Sequence, residues 1–297
     1  MTIQTENRTK HVAHLPLGSN SASQGTKRTA EAEDEQKVLN LYDFDPTPQS
    51  LKEHVPMHLY DINFIFPFQC LSSKYVRLEP LIPSKHLKGF LSLPPESWTH
   101  FGELGPYSRK TALEDIESYR LDPACLLLAV IDIQVEQAGE DGFAGVYALI
   151  EVNKDFMHAL FGIINILPKY QKTHINTHAM YLTLRYLFEA LHLIRVQYDA
   201  VTHNTASIKS AGRFGFQQEG ICRNFNGLVP SFKRVKEKAQ GKSQDMWVGS
   251  MTDHDWSNGG RRRLEVMMQR PVVDTKELQE IEKDSGQSIP DGYGHGK

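Results

Sequence analysis

The stretch that decides the fold reads Ala159-Leu-Phe-Gly-Ile-Ile-Asn-Ile-Leu167, then Pro168-Lys-Tyr-Gln171, then a longer run that opens Lys172-Thr-His-Ile-Asn-Thr177. Its first nine residues are almost wholly apolar and rich in β-branched side chains, which is the composition of a buried strand. Pro168 cannot donate to a ladder and ends it. From about residue 173 to 192 the pattern becomes helical. Ala179, Leu182, Tyr186, Leu187 and Ala190 recur at i, i+3 and i+4 spacing on one face. A strand feeding directly into a helix N-terminus gathers unpaired backbone N–H groups and the positive end of the helix dipole at one spot, which makes an anion site. Gln171, Lys172 and Thr173 would add donors there. The plain alternative is an ordinary strand-to-helix turn.

Working outward, residues 75–79 (Tyr-Val-Arg-Leu-Glu) alternate as a strand does, and residues 111–121 carry helical spacing that Asp122-Pro123 terminates. Residues 126–133 form a buried strand. The turn-rich Gln137-Ala-Gly-Glu-Asp-Gly142 joins it to a strand over 143–152, so the two read as a hairpin. Asn153-Lys-Asp155 makes the next turn. Downstream, the pattern predicts a strand over 195–201 and a helix over 205–214 with Gly215 as its left-handed cap. A partial strand follows over 216–225, then a charged exposed loop over 233–242 and a last strand over 245–251. The order of elements predicts an α/β (α+β) fold, a mixed sheet flanked by helices.

Composition bounds the rest. The chain has 297 residues, with 33 Lys+Arg against 36 Asp+Glu and a formal net charge of −3. Such a balance gives no general drive toward nucleic acid or an anionic membrane, so neither is expected as a partner. Cys70, Cys125 and Cys222 are odd in number and widely spaced, which supports neither a disulfide framework nor a cysteine zinc site. The strongest apolar run, Cys125-Leu-Leu-Leu-Ala-Val-Ile131, meets Asp132 well short of the roughly 20 residues a spanning helix needs. The N-terminus lacks the apolar centre of a secretory signal, and a cytoplasmic location is expected. Residues 1–40 are polar and without periodicity, and are expected to be disordered. Residues 271–297 read as a polar tail, leaving one domain over 41–270 with an N-terminal extension over 41–74. The two tails account for much of the mean hydropathy of −0.43.

Several motifs stand in a series that resembles the GNAT acyl-CoA N-acyltransferase superfamily, in particular its RimJ/RimL-like ribosomal-protein acetyltransferase branch. Val76-Arg-Leu-Glu-Pro-Leu81 is similar to the branch's opening strand, and Pro94-Pro-Glu-Ser-Trp98 with Gly105-Pro106 resembles the loop region after it. Gln171-Lys-Thr-His-Ile-Asn-Thr177 occupies the place of the Gln/Arg-x-x-Gly-x-Gly/Ala pyrophosphate loop. Tyr186-Leu-Phe-Glu189, Ile194-Arg-Val196, Asn204-Thr-Ala-Ser207 and Ala211-Gly-Arg-Phe-Gly-Phe216 resemble the following helix, strand and helix. Glu219-Gly220, Asp245-Met-Trp247 and Asp255-Trp256 complete a likeness running from about residue 75 to 270.

That resemblance implies a mostly antiparallel, twisted sheet with a splayed strand pair for acyl-CoA. It implies acetyl-CoA as co-substrate and direct transfer to an amine, either a protein N-terminus or a small molecule, by a monomer or homodimer. The pantetheine arm would pair with backbone of Ile164, Asn165 and Ile166. The diphosphate would rest on backbone amides of Gln171, Lys172, Thr173, His174, Ile175, Asn176 and Thr177, with the His174 ring as a further donor. Asn204 and Ser207 would face the thioester. Relatives often place a tyrosine on the helix over 205–214, and this chain has none there. Ser207 is then the expected proton donor to the thiolate, with Ser210 in reserve and helix-start capping as the alternative role for Ser207. Glu151 is the expected base, a solvated strand-end carboxylate being its alternative.

The loop departs from the family pattern at His174 and Asn176, where the family has glycine. That substitution, together with the missing tyrosine, leaves open a second reading, a GNAT-like module that binds acyl-CoA or a protein without catalysis. His174 and His178 have the spacing of a zinc-protease helix but lack its glutamate, so no metal is expected. Residues 41–73, with Tyr60, Phe64, Phe66 and Phe68, either wall the acceptor site or pack in the core. The 224–244 insert is a second candidate wall.

Overall fold

The computed structural model describes residues 55–101, 104–225 and 244–270. The two polar tails, residues 41–54, the 233–242 loop and most of the 224–244 insert lie outside the described residues. At the centre, every residue of β3 (Leu126–Asp132) is buried, as its unbroken apolar run requires. Around it stand β1 (Leu71–Ser72), β2 (Val76–Pro80), β4 (Phe143–Asn153), β5 (His158–Ile166), β6 (Arg195–Val201), β7 (Gln217–Cys222) and β8 (Met246–Thr252). They form one eight-stranded sheet in the order β1-β2-β3-β4-β5-β6-β8-β7. All neighbours are antiparallel except β5 and β6, which run parallel. The predicted mixed sheet flanked by helices is the observed architecture.

The longer helices among the described residues are α1 (Pro83–Leu91), α2 (Arg109–Leu121), α3 (Ile175–Arg185), α4 (Thr205–Phe214) and α5 (Arg261–Met268). A bulge in β4 sorts them between the faces of the sheet. Val130 pairs with Gly145 but Ile131 with Phe143, so Ala144 is an extra residue, and side-chain facing reverses across it. Phe143 therefore meets Gly89 and His86 of α1. Tyr147, beyond the bulge, turns its hydroxyl to Asn176 of α3. Helices α1 and α2 touch each other and cover one face over β3 and β4, while α3 covers the other.

Boundaries differ from the sequence reading where side chains intervene. The helix expected from 173 begins at Ile175, because the Thr173 hydroxyl donates to Tyr170 O (2.7 Å) and accepts from Ile175 N (3.2 Å). It continues beyond Arg185 as a wider π turn, Tyr186–Ala190. The helix expected from 111 begins at Arg109, where Ser108 and Thr111 form a reciprocal cap. The turn of the β3–β4 hairpin holds a short helix, Ile133–Gln137, capped by the Asp132 carboxylate. Helix α4 and its Gly215 cap, at φ 106°, stand where the sequence predicts them.

The described part of the N-terminal extension packs in the core. Tyr60, Phe64, Phe66 and Phe68 are buried. Asn63 N donates to Arg120 O and Ile65 N to Pro123 O, both at 2.9 Å. The Arg120 guanidinium is buried between Glu117 (2.8 Å) and Asp61 (2.7 Å), clamping the extension to α2. Removing that cation would leave two buried carboxylates facing each other. Arg120→Ala should lower the unfolding free energy by about 3–5 kcal/mol, read from urea titration. A loss below about 1 kcal/mol, the worth of an exposed ion pair, would show that the clamp does not hold the extension.

Candidate functional site

The pairing of β5 with β6 covers only His158–Phe161 against Arg195–Tyr198. Beyond Phe161 and Tyr198 the strands part, although β5 continues to Ile166 and β6 to Val201. On its other side β5 stays paired with β4 as far as Ile166. The edge of β5 that faces the gap has no ladder partner among the described residues there. A cavity of about 650 Å³ occupies the gap. Gly162 lies on its wall at the point of parting, where an added Cβ would come within 2.8 Å of the Ile150 side chain.

The cavity is lined from both faces of the sheet. Ser97, His100, Asn165 and Asp199 contribute from the α1–α2 side, and Asn165 Nδ2 donates to Ser97 Oγ (3.1 Å), holding that wall to β5. Lys172, Asn176, Lys209 and Arg213 contribute from the other side. Strand alternation explains how adjacent residues of β6 serve both. Tyr198 packs against Phe161 and Phe216 beneath α4 and shares a hydrogen bond with Ser207 (3.0 Å). Asp199 faces the opposite way.

Three cationic side chains gather at one end. Lys172, in the left-handed region at φ 61°, lines the cavity from the loop. Lys209 and Arg213 are four apart on one face of α4. Burial holds the Arg213 guanidinium below its ordinary pKa, and Arg270 adds to the shift. The positive end of α3 faces the same region, so this end of the cavity suits a polyanion.

Of the residues predicted from sequence, Ile164, Asn165, Ile166, Gln171, Lys172, Thr173, Asn176, Asn204 and Ser207 line the cavity, as does Ser210. Gln171 does so with its side-chain amide already donating to Ile166 O (3.0 Å), which ties the loop to the strand end. His174, Ile175 and Thr177 are buried and lie outside the lining. The His174 ring is turned inward against Tyr75 and His178, away from the cavity lining. At φ −68° and ψ −22° its backbone is ordinarily helical, and the missing glycine costs no strain. Asn204 caps α4 by accepting from Ser207 N (3.1 Å), while the Ser207 hydroxyl remains on the cavity wall.

Glu151 lies outside the cavity lining, on an irregularity of β4 at φ 50°, next to Ile150, which does line it. Two carboxylates line the cavity, Glu96 and Asp199, and Asp199 is the one at the parting of the strands. Burial pushes its carboxyl up to about 6, and the nearby Glu151 charge adds to this. Sequence reading does not single out Tyr198, Asp199, Lys209 or Arg213. The i, i+3, i+4, i+7 spacing of Ala206, Lys209, Ser210 and Arg213 is a legible helix face. Nothing in the alternation of β6 marks Tyr198 or Asp199. Among the described residues no cluster of three His, Cys, Asp or Glu could hold a metal ion, and no helix is long and apolar enough to cross a membrane.

Residues 76–217 match the family model described as an acetyltransferase (GNAT) domain. No curated protein matches the chain significantly. Among solved structures, it is similar to a GCN5-related N-acetyltransferase from Brucella melitensis, with 22% identity over 73% of this chain and 96% of that one, at a TM-score of 0.58. It is similar to a T. thermophilus structure titled as an acetyltransferase, with 26% identity over 68% and 97% of the chains and a TM-score of 0.56. It is also similar to spermidine N-acetyltransferase from Vibrio cholerae, solved with CoA and spermine, with 20% identity over 63% and 100% and a TM-score of 0.50. The sheet, its one parallel pair and its flanking helices are those of the GNAT fold.

The Tyr198–Ser207 pair yields a direct test. Burial raises the Tyr198 phenol above its ordinary pKa, while the hydrogen bond from Ser207 opposes the rise. Ser207→Ala should therefore push the phenol higher still, as followed by NMR titration of ring-labelled tyrosine. An unmoved or lowered pKa would show that the hydroxyls do not interact in solution.

Proposed function

We propose that the chain is an N-acetyltransferase that moves an acetyl group directly from acetyl-CoA to an amine. The observation that carries this reading is the parting of β5 from β6 beside a cationic loop and helix face. An extended, amide-bearing arm can add to the vacant edge of β5 at Gly162–Ile166 as a further strand would, without any new side chain. Lys172, Lys209, Arg213 and the N-terminus of α3 suit the phosphates at its far end. The fit is both steric and electrostatic. The likeness to an N-acetyltransferase solved with CoA supports the same occupant.

Acetyl transfer needs a neutral amine, whereas a lysine-type amine has a pKa of about 10.4. It also needs a proton for the departing thiolate. Ser207, sharing its hydrogen bond with Tyr198, is the donor in this reading. The Tyr198 phenol refills it from behind, so the absent helix tyrosine is replaced from the neighbouring strand. The sequence likeness favours the RimJ/RimL-like branch, and acetyl-CoA as donor fits a cytoplasmic location. The acceptor is an amine that reaches the gap from the α1–α2 face, because the cationic face is the one given over to the cofactor.

Purified chain should release thiol from acetyl-CoA when offered amines such as spermidine or peptides with unblocked N-termini. Ser207→Ala should lower kcat about 100-fold and leave the Kd for CoA near the wild-type value. Arg213→Ala should raise that Kd about tenfold, the worth of one charge-assisted hydrogen bond. Tight CoA binding with no thiol release from any amine would favour the non-catalytic module instead.

A further inference from the structure

We infer that Asp199 is the group that accepts the amine's proton, held in position by a relay of side chains on the α1–α2 face of the sheet. The inference rests on the N-acetyltransferase reading and assigns a residue within it. Asp199 is the first β6 residue beyond the last paired position, Tyr198 opposite Phe161, so its carboxylate stands where the strands part. It lines the cavity on the face opposite Tyr198 and Ser207. Acid and base thus stand on two sides of one gap, which a reaction with an incoming amine and a departing thiolate requires.

The carboxylate is oriented without being neutralised. Gln197 Nε2 donates to both Asp199 oxygens at 3.0 Å. Gln197 Oε1 in turn accepts from Arg195 (2.9 Å), which fixes which way round the amide stands. The Arg195 guanidinium is itself taken up by Glu219 at 2.5 and 2.6 Å, and Ser250 donates to Glu219 at 2.7 Å. The strong cation of the network is therefore spent on Glu219 rather than on Asp199. The groups that bear on Asp199 are Gln197 and Arg195 on its own strand, Glu151 on β4 and Glu219 on β7. Glu96 and His100 share the cavity with it. With its carboxyl near 6, Asp199 is ionised at pH 7 yet more basic than an ordinary aspartate, as a general base should be.

The step balances. Asp199 takes one N–H proton from the acceptor ammonium, and the exposed lone pair forms the C–N bond as the C–S bond breaks. The Tyr198–Ser207 pair gives a proton to sulfur and is refilled by the second N–H proton lost on nitrogen. Asp199 returns its own proton to solvent, so amide, thiol and one released proton are the products.

The burial that raises this carboxyl also fixes its stability sign. The folded pKa, about 6, lies above the unfolded value of about 3.9, so wild type loses stability as pH rises through that interval. Asp199→Asn escapes this loss and should fold at least as well at pH 7, with its side-chain oxygen still available to Gln197. The test is kcat against pH for wild type, Asp199→Asn, Glu151→Gln and Gln197→Ala, with CoA binding by calorimetry as the control for folding. Wild-type kcat should fall below about pH 6 as one proton binds. Asp199→Asn should abolish that limb and lower kcat by about 10²–10⁴-fold, with CoA affinity kept. Glu151→Gln should move the limb to lower pH, and Gln197→Ala should move it higher. Asp199→Asn that keeps the limb and the wild-type kcat overturns the assignment, as does loss of the limb in Glu151→Gln alone. Should the Asn protein fail to bind CoA, Asp199→Ser carries the same comparison. Wild type that binds CoA and acetylates nothing overturns the acetyltransferase reading itself, and is seen before any variant is made.

Discussion

The site depends on one constraint, the single parallel pairing in an otherwise antiparallel sheet. Parallel strands cannot be joined by a tight turn, so the chain must leave β5, cross over through α3 and return as β6. That crossover puts a helix N-terminus at the end of β5. It also frees β6 to follow β8, with which it pairs over its whole length from Arg195 to Val201. Strand β5 is held just as fully by β4 on its other side. Each strand of the pair is thus committed elsewhere, and their shared ladder ends at Phe161 and Tyr198. The gap follows from that double commitment rather than from any weakness in either strand.

Everything chemical is arranged around the gap. Because side chains alternate along β6, consecutive residues reach opposite faces: Tyr198 toward α4 and its Ser207, Asp199 toward the wall formed by Ser97 and His100. The cationic groups stand on the α3–α4 side only, and the described acidic lining stands on the other. One opening in the sheet therefore has a cationic side and a carboxylate-bearing side. The buried Arg120 clamp ties the N-terminal extension to α2, and the Tyr147–Asn176 hydrogen bond ties α3 to the sheet. Tyr147, Phe161, Tyr198 and Phe216 pack ring against ring beside the cavity.

Much of this was legible from local pattern. The apolar run of β3, the alternation of β2 and the capped α4 are set by short-range chemistry, and they stand where period and cap residues put them. The loop after β5 was legible as a strand-to-helix junction because strand, proline and helix follow one another directly. The direction of the His174 ring was not legible, for a reason that local pattern does not carry. The side chain could face either the loop or the core, and a pocket between His178 and Tyr75, the latter far away along the chain, decided it. The position of Glu151 is of the same kind: it stands at an irregularity of β4 and lies outside the cavity lining, while its neighbour Ile150 is part of it.

By itself the sequence determined the strands β2 to β8, the helices α2 to α4, their order and the mixed sheet, because helix period, strand alternation, caps and proline stops act over a few residues. Only the tertiary structure decided where β5 and β6 part and hence which residues face the gap. It also decided that Tyr198 and Asp199, adjacent and unremarked in the chain, would stand on opposite sides of it. The end of a ladder is fixed by what each strand pairs with on its far edge, and those partners, β4 and β8, lie far apart along the chain.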